Sequence, residues 1–271
     1  MQQIKFYKVS GAGNDFVLID NRENQLTCDL NNLAQELCGK QQGQDVDGML
    51  LVEKSDTVDF KMRIFNSDGS EVDMCGNGAR CIALFSYKHN IVGKDMVFET
   101  MAGNIEAQVT DENMVKLKMS SPSGLRLDFS LELEDRNLNI NFLDTGVPHV
   151  VIFVDDIENT EVYKIGKAIR NHKEFAPAGT NINFVKIADN NKIYVRTYER
   201  GVEDETLACG TGSVASAIIS GIEKNLQSPV SVITRGGSIL NIYFDIIDKE
   251  NINDVYLQGE AKIILEGEYK I

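Results

Sequence analysis

Apolar and polar residues alternate along much of this chain, in short runs bounded by turn residues. "IKFYKV", "DFVLID", "GMLLVE", "VDFKMRIF", "MVFET", "MVKLKM", "LRLDFSLEL", "LNINF", "HVVIFVDD", "NINFVKI", "NKIYVRTYE", "VSVITR" and "SILNIYFDII" all have the length and alternation of half-buried strands. Helical periodicity is rarer and predicts helices at Leu30 to Cys38, roughly Cys75 to His89, Thr160 to Asn171, and roughly Cys209 to Lys224. Two of these, carrying "ARCIALF" and "SVASAII", are apolar on nearly every side, so each must be surrounded, and a sheet curled around it would do so. The mixture predicts an α+β fold rather than a regular βαβ array.

The pattern also repeats. Cys209 follows Cys75 by 134 positions, Glu205 follows Glu71 by the same interval, and "KMRIF" before the first cysteine matches "IYVRTY" before the second. Upstream, "GAGNDFVLID" from Gly11 aligns with "GVPHVVIFVD" from Gly146, and "DVDGMLLVE" takes the place of "GTNINFVKI". Two halves of similar build follow, with a boundary near residues 120–124, "SSPSG".

Composition narrows the function classes. The 271 residues carry a formal charge of −14, and no basic stripe is available for nucleic acid or an acidic membrane surface. No run approaches the roughly eighteen apolar residues of a membrane helix, and the first residues lack a basic-then-apolar leader pattern, so a cytoplasmic protein is expected. Five cysteines, Cys28, Cys38, Cys75, Cys81 and Cys209, show no C-x-x-C spacing and are accompanied by three histidines, which argues against disulfide staples and a metal site.

Two of those cysteines lie in a repeated setting, "MCGNG" and "ACGTG", each opening an apolar helix. The glycines predict a tight turn in which backbone N–H groups converge, and the helix start adds its unpaired N–H groups and positive end. Such a place binds a carboxylate and favours a thiolate. A lone cysteine there is ordinary core filler, as Cys81 is expected to be. Two at equivalent places suggest a thiolate and a thiol on opposite faces of one carbon, a two-base racemase or epimerase that removes a proton from one side and delivers one to the other.

The motifs "KVSGAGNDFVLID", "FNSDGSEVDMCGNGARC", "GTNINFV" and "ERGVEDETLACGTGS" together make the chain resemble the diaminopimelate epimerase family over essentially its whole length. The resemblance implies two pseudo-symmetric domains, each a barrel-like curled sheet wrapped around a central helix, with the active site in the cleft between them. It also implies that the end of the chain returns to the first domain, giving 1–119 with 260–271 and 120–259 as the domains. The implied activity interconverts LL- and meso-diaminopimelate in lysine biosynthesis without cofactor or metal, in an enzyme that is commonly a homodimer. Carried over by position, Cys75 and Cys209 are the acid–base pair, with Cys75 taking the proton from the LL isomer. Gly76, Asn77, Gly210 and Thr211 hold the reacting carboxylate. Asn14, Asn66, Asn183, Glu199 and Arg200 bind the substrate, and His149 and Glu199 tune the thiols.

This chain departs from the family pattern twice: Val147 in "GVPH" stands where members often have asparagine, and Gly48 stands where some have a substrate-facing glutamine. Proline and hydroxyproline racemases share the paired cysteines but carry histidine at the position of Asn77. A racemase of such an amino acid, or a noncatalytic amino-acid-binding protein, is the competing expectation.

Overall fold

In the computed structural model, residues 3–39, 46–189, 191–248 and 251–270 are described. The first half of the chain runs β1 (Gln3–Gly11), β2 (Asn14–Asp20), α1 (Leu30–Cys38), β3 (Gly48–Glu53), β4 (Phe60–Asn66), β5 (Glu71–Val72), α2 (Gly76–Lys88), β6 (Asp95–Thr100), β7 (Gly103–Asp111) and β8 (Met114–Lys118). The second runs β9 (Ser123–Glu132), β10 (Asn137–Asp144), β11 (Pro148–Phe153), α3 (Val162–Arg170), β12 (Asn181–Ala188), β13 (Lys192–Glu199), β14 (Asp204–Thr206), α4 (Gly210–Lys224), β15 (Val230–Thr234), β16 (Ile239–Ile246) and β17 (Ile252–Glu260), and β18 (Lys262–Lys270) follows. Two compact units result, Met1–Leu117 with Gly259–Ile271, and Lys118–Gln258.

In the first unit the strands lie in the order β18, β1, β2, β3, β4, β6, β7, β8, with the short β5 also against β4. The β2–β3 and β4–β6 pairs are parallel and the rest antiparallel. The sheet curls around α2, which touches β1, β2, β3, β4, β7 and β18. Every residue of α2 from Asn77 to Ser86 is buried, as the absence of a polar face in its sequence requires. The outer helix α1 is amphipathic and lays Leu33, Ala34, Leu37 and Cys38 on the other face of the sheet, against Val17, Ile19, Met49, Leu51 and Phe65. Its start is capped by Asp29, whose side chain accepts from the N–H groups of Asn31 and Asn32.

The second unit has the same plan. Its strands run β9, β10, β11, β12, β13, β15, β16, with β14 against β13, and with β11–β12 and β13–β15 parallel. Side chains of β16 bond to Gln258 of β17. The buried helix α4 touches β10, β11, β12, β13, β15 and β16, and α3 covers the outside with Val162 and Ile169 against Phe184 and Tyr198.

Strand register makes the internal repeat exact and corrects the alignment read from sequence upstream of the cysteines. Phe65 pairs with Met49 and Glu71, and Tyr198 pairs with Ile182 and Glu205, so these residues are equivalent. By the same register Gly48 is the counterpart of Asn181, and Phe16 that of His149. Asn14 therefore corresponds to Val147 and not, as the sequence alignment has it, to His149. An alternating strand looks the same after a slip of two positions, so sequence pattern alone does not reveal it.

Candidate active site: two buried helix starts

Cys75 and Cys209 occupy the same position in the two units, the N-cap of the buried helix. Both have extended backbones, at φ −138°, ψ 122° and φ −121°, ψ 113°, and neither side chain makes a capping hydrogen bond. Their carbonyls accept the first helical bonds, from Ala79 at 2.8 Å and Ser213 at 2.9 Å. The first-turn N–H groups, which a serine or aspartate would ordinarily satisfy, are thus left by the cap residue for another acceptor.

The glycines act differently from the sequence-based expectation. None of Gly76, Gly78, Gly210 and Gly212 has a left-handed φ, so no turn conformation demands them. What matters is room. A Cβ at Gly212 would lie 2.2 Å from Asn183 Oδ1, and one at Gly78 would lie 3.1 Å from Leu50 Cδ2, so the second glycine of each motif lets the helix settle onto the sheet. A Cβ at Gly76 would meet nothing within 4 Å. The first glycine there leaves open space before the helix.

A hairpin tip docks on each helix start. Ala12 and Gly13, at φ 49° and 94°, form the two-residue β1–β2 turn, and a Cβ on the adjoining Gly11 would lie 3.0 Å from both the Asn77 carbonyl and Cys81 Sγ. This closeness brings Asn14 to Asn77, whose Nδ2 donates to Asn14 Oδ1 at 2.7 Å. Behind Asn77 lies Arg80, fully buried, with Nη2 donating to Asn77 Oδ1 at 2.6 Å and Nη1 to the Gly76 carbonyl at 3.3 Å. In the second unit the β10–β11 connection does the docking, and the Thr145 hydroxyl donates to the Thr211 carbonyl at 3.2 Å. A matched ion pair holds the strand leading to each cysteine: Arg63 forks onto Glu71 at 2.7 and 2.9 Å, and Arg196 onto Glu205 at 2.7 Å through both bonds.

Beneath Cys209 lies a buried polar network. Thr197 Oγ1 donates to Asn183 Oδ1 at 2.9 Å, which fixes the amide orientation, and Asn183 Nδ2 then donates to the Val150 carbonyl at 3.0 Å and to His149 Nδ1 at 3.1 Å. The ring proton of His149 accordingly sits on Nε2, which is buried without a partner. The positions equivalent to His149, Asn183 and Thr197 are Phe16, Leu50 and Ile64, all apolar. Asn183, placed by sequence among the substrate contacts, is wholly buried with its amide engaged inside the protein. Asn181, which sequence reasoning passed over, aligns with it on the same face of β12 and accepts the Arg200 backbone N–H at 2.8 Å.

Burial, with the nearby Arg200 cation, lowers His149 from 6.5 to about 3. The native state therefore holds this imidazole neutral while the unfolded chain protonates it near 6.5, so stability present above that pH is lost as pH falls toward about 3. Chemical denaturation at pH 7 and pH 5 should show a loss of about 2 kcal/mol attributable to this residue. His149→Phe, which copies its counterpart, should flatten that limb; an unchanged slope would refute the assignment.

The thiols differ. Burial pushes Cys209 up to about 12, aided by the neighbouring Glu199 carboxylate and opposed by the Thr211 hydroxyl at 3.6 Å and by the nearby first-turn N–H groups of Gly212 and Thr211. The helix start thus acts in the expected direction, but dehydration wins, and the expectation of an activated sulfur in both halves is corrected for Cys209. Cys81, raised to about 12 by burial, is core as expected. Glu199 is itself pushed up by burial, while its Oε2 accepts from Thr206 at 2.9 Å. Asn66 is exposed on the β4–β5 hairpin, its Nδ2 donating to Ser70 at 3.0 Å. Gly48, read from sequence as lacking the glutamine contact of some family members, has no room for a side chain, since a Cβ would lie 2.3 Å from the Phe65 carbonyl.

Of the nine arginines in the sequence, seven hold a carboxylate at ion-pair distance. Arg80 and Arg200 hold none among the described residues. Arg200 is half-buried, with Nη1 on the Ala178 carbonyl at 3.2 Å, and is free to fork onto a carboxylate.

Duplicated curled sheets, each around a buried helix, are the fold that this chain shares with solved racemases and epimerases, a class of isomerases. Solved structures share the fold throughout: a phenazine biosynthesis protein of the PhzF family from Bacillus anthracis superposes with a TM-score of 0.73 at 16% identity, covering 100% of both chains. A probable proline racemase from Agrobacterium radiobacter K84 gives 0.64 at 16% identity, covering 99% of this chain and 92% of that one. The profile described as diaminopimelate epimerase matches residues 6–124 and 141–264. Diaminopimelate epimerases of Aquifex aeolicus and Chlorobaculum tepidum are 42% and 41% identical, covering 97% and 96% of this chain and 97% and 98% of their own. The chain belongs to the diaminopimelate epimerase family.

Proposed function

We propose that this isomerase interconverts LL- and meso-diaminopimelate, on the route to lysine, by a two-base proton transfer that uses its own thiols. The observation that carries the mechanism is the placing of Cys75 and Cys209 at equivalent uncapped helix starts. Cys75, as thiolate, takes the α-proton of the LL isomer, and Cys209, kept protonated by burial and by Glu199, delivers a proton to the other face. Excess charge then moves onto the carboxylate oxygens, where the first-turn N–H groups of Gly76 and Asn77, and of Gly210 and Thr211, meet it without having to reorganise. Asn14, Asn66, Glu199 and Arg200 bind the rest of the substrate, with Arg200 matched to a carboxylate. Asn183 holds His149 in place, and His149 with Glu199 tunes the thiols.

The reading has a direct test. LL-diaminopimelate incubated with the protein in deuterated water should yield meso product carrying deuterium at the inverted carbon, and unlabelled or absent product would refute it.

A further inference from the structure

Arg80 is a buried cation that the mechanism above does not use. It is 0% exposed, its Nε is buried without a partner, and no carboxylate among the described residues pairs with it. A guanidinium does not shed its proton to escape such a site, and an unpaired buried charge is costly to keep. In α4 the same position is Val214, an apolar core residue, so packing around the helix does not call for an arginine.

Two observations say what Arg80 is for. The first is geometric: its bond fixes Oδ1 of Asn77 as an acceptor, so Asn77 Nδ2 donates to Asn14 Oδ1, and Asn14 is left to present its own N–H groups. One guanidinium thereby sets the polarity of two amides that the site uses toward an anion. The second concerns charge. Arg80 Nη1 bonds the carbonyl of Gly76, the residue next to Cys75, at 3.3 Å, and the thiols near enough to act on its charge are Cys81 and Cys75. Cys81 is buried and held protonated, and Asp15, the carboxylate reaching Cys81, is engaged by Lys8 at 3.0 Å. Cys75 remains.

We infer that Arg80 is the positioning residue of the first helix start: it orients Asn77 and Asn14, and its missing counter-charge is the Cys75 thiolate, so that Cys75 rather than Cys209 carries the negative charge of the resting pair. The Cys75 proton leaves to solvent and Arg80 stays protonated throughout. The second unit does the reverse, setting the Glu199 carboxylate near Cys209. The inference rests on reading Cys75 as an acid–base group, but it can be tested without substrate, so its failure and that of the epimerase assignment are distinguishable.

The experiment measures alkylation of each cysteine by iodoacetamide at pH 7, resolved by peptide mass mapping. Arg80→Met should slow alkylation of Cys75 at least about tenfold, the factor of one unit in thiol acidity, while Cys209 is unaffected. Arg80→Lys, which restores the charge, should recover a substantial part of the Cys75 rate. Equal Cys75 rates in the wild type and a folded Arg80→Met variant, or no recovery with lysine, would overturn the inference. If neither variant folds, thiolate absorbance near 240 nm in the otherwise intact protein decides: Cys75→Ser should abolish it and Cys209→Ser should keep it. The opposite pattern, or no thiolate signal in the wild type, would overturn the proposal.

Discussion

Cys75→Ser and Cys209→Ser should each lower kcat for epimerisation at least about a thousandfold, within the range that positioned acid–base groups supply, while neither variant melts below the wild type. The second half of that expectation comes from the N-caps. Serine is among the best residues at the start of a helix because its hydroxyl satisfies an early N–H, and cysteine here makes no such bond. A serine hydroxyl is far too weak an acid to stand in for a thiol but is well suited to the cap, so the substitution should gain up to about 1 kcal/mol of stability as activity disappears. Thermal unfolding alongside initial rates measures both. A Cys→Ser variant that melts markedly lower would mean that the sulfur is core filler, and one that keeps its rate would remove the two-base mechanism.

The glycines give the second large effect, and Gly212 of the second motif and Gly76 of the first should behave in opposite ways. At Gly212 an added methyl meets Asn183 Oδ1 at 2.2 Å, where neither α4 nor β12 can yield without disturbing the Thr197–Asn183–His149 chain. Gly212→Ala should therefore cost about 1–3 kcal/mol of stability, the usual toll of overpacking a tight core, and lower kcat with it. Gly76→Ala adds a methyl to empty space and should fold normally, since alanine is the better helix former. That space is where the carboxylate is proposed to meet the helix start, so KM should rise at least about tenfold, equivalent to one lost charge-assisted hydrogen bond. Denaturation curves and steady-state kinetics on the pair separate the roles, and a Gly76→Ala enzyme with unchanged KM would move the carboxylate elsewhere.

Much of the scaffold was readable in advance because the periodicity is strong: the four helices and the alternating strands appear where the apolar pattern puts them. The strands that escaped notice have physical excuses. β5 and β14 are two and three residues long, and β7 buries only Ala107 and Val109 of its nine residues, so it offers almost no alternation to detect. β17 carries adjacent polar residues at its start, and burial resumes only at Val255.

The site was readable in its duplicated part and obscure in its unequal part. The cysteines announce themselves by repetition. Arg80 was passed over because it lies within "ARCIALF", a stretch read as apolar on nearly every side, although a charge on a helix with no wet face was itself the signal. Asn183 illustrates the reverse problem, since an asparagine in an alternating strand is normally solvent-facing, and only register shows it turned inward to serve a histidine. Asn181, two residues earlier, shares that inward face for the same reason.

The equivalence of Phe16, Leu50 and Ile64 with His149, Asn183 and Thr197 has a consequence for how such a protein can be altered. Backbone, hairpin tip, Arg–Glu fork and thiol are common equipment of the two units, and what differs is a few side chains packed under each helix start. Retuning one member of the pair is then a local edit that leaves its twin's support untouched.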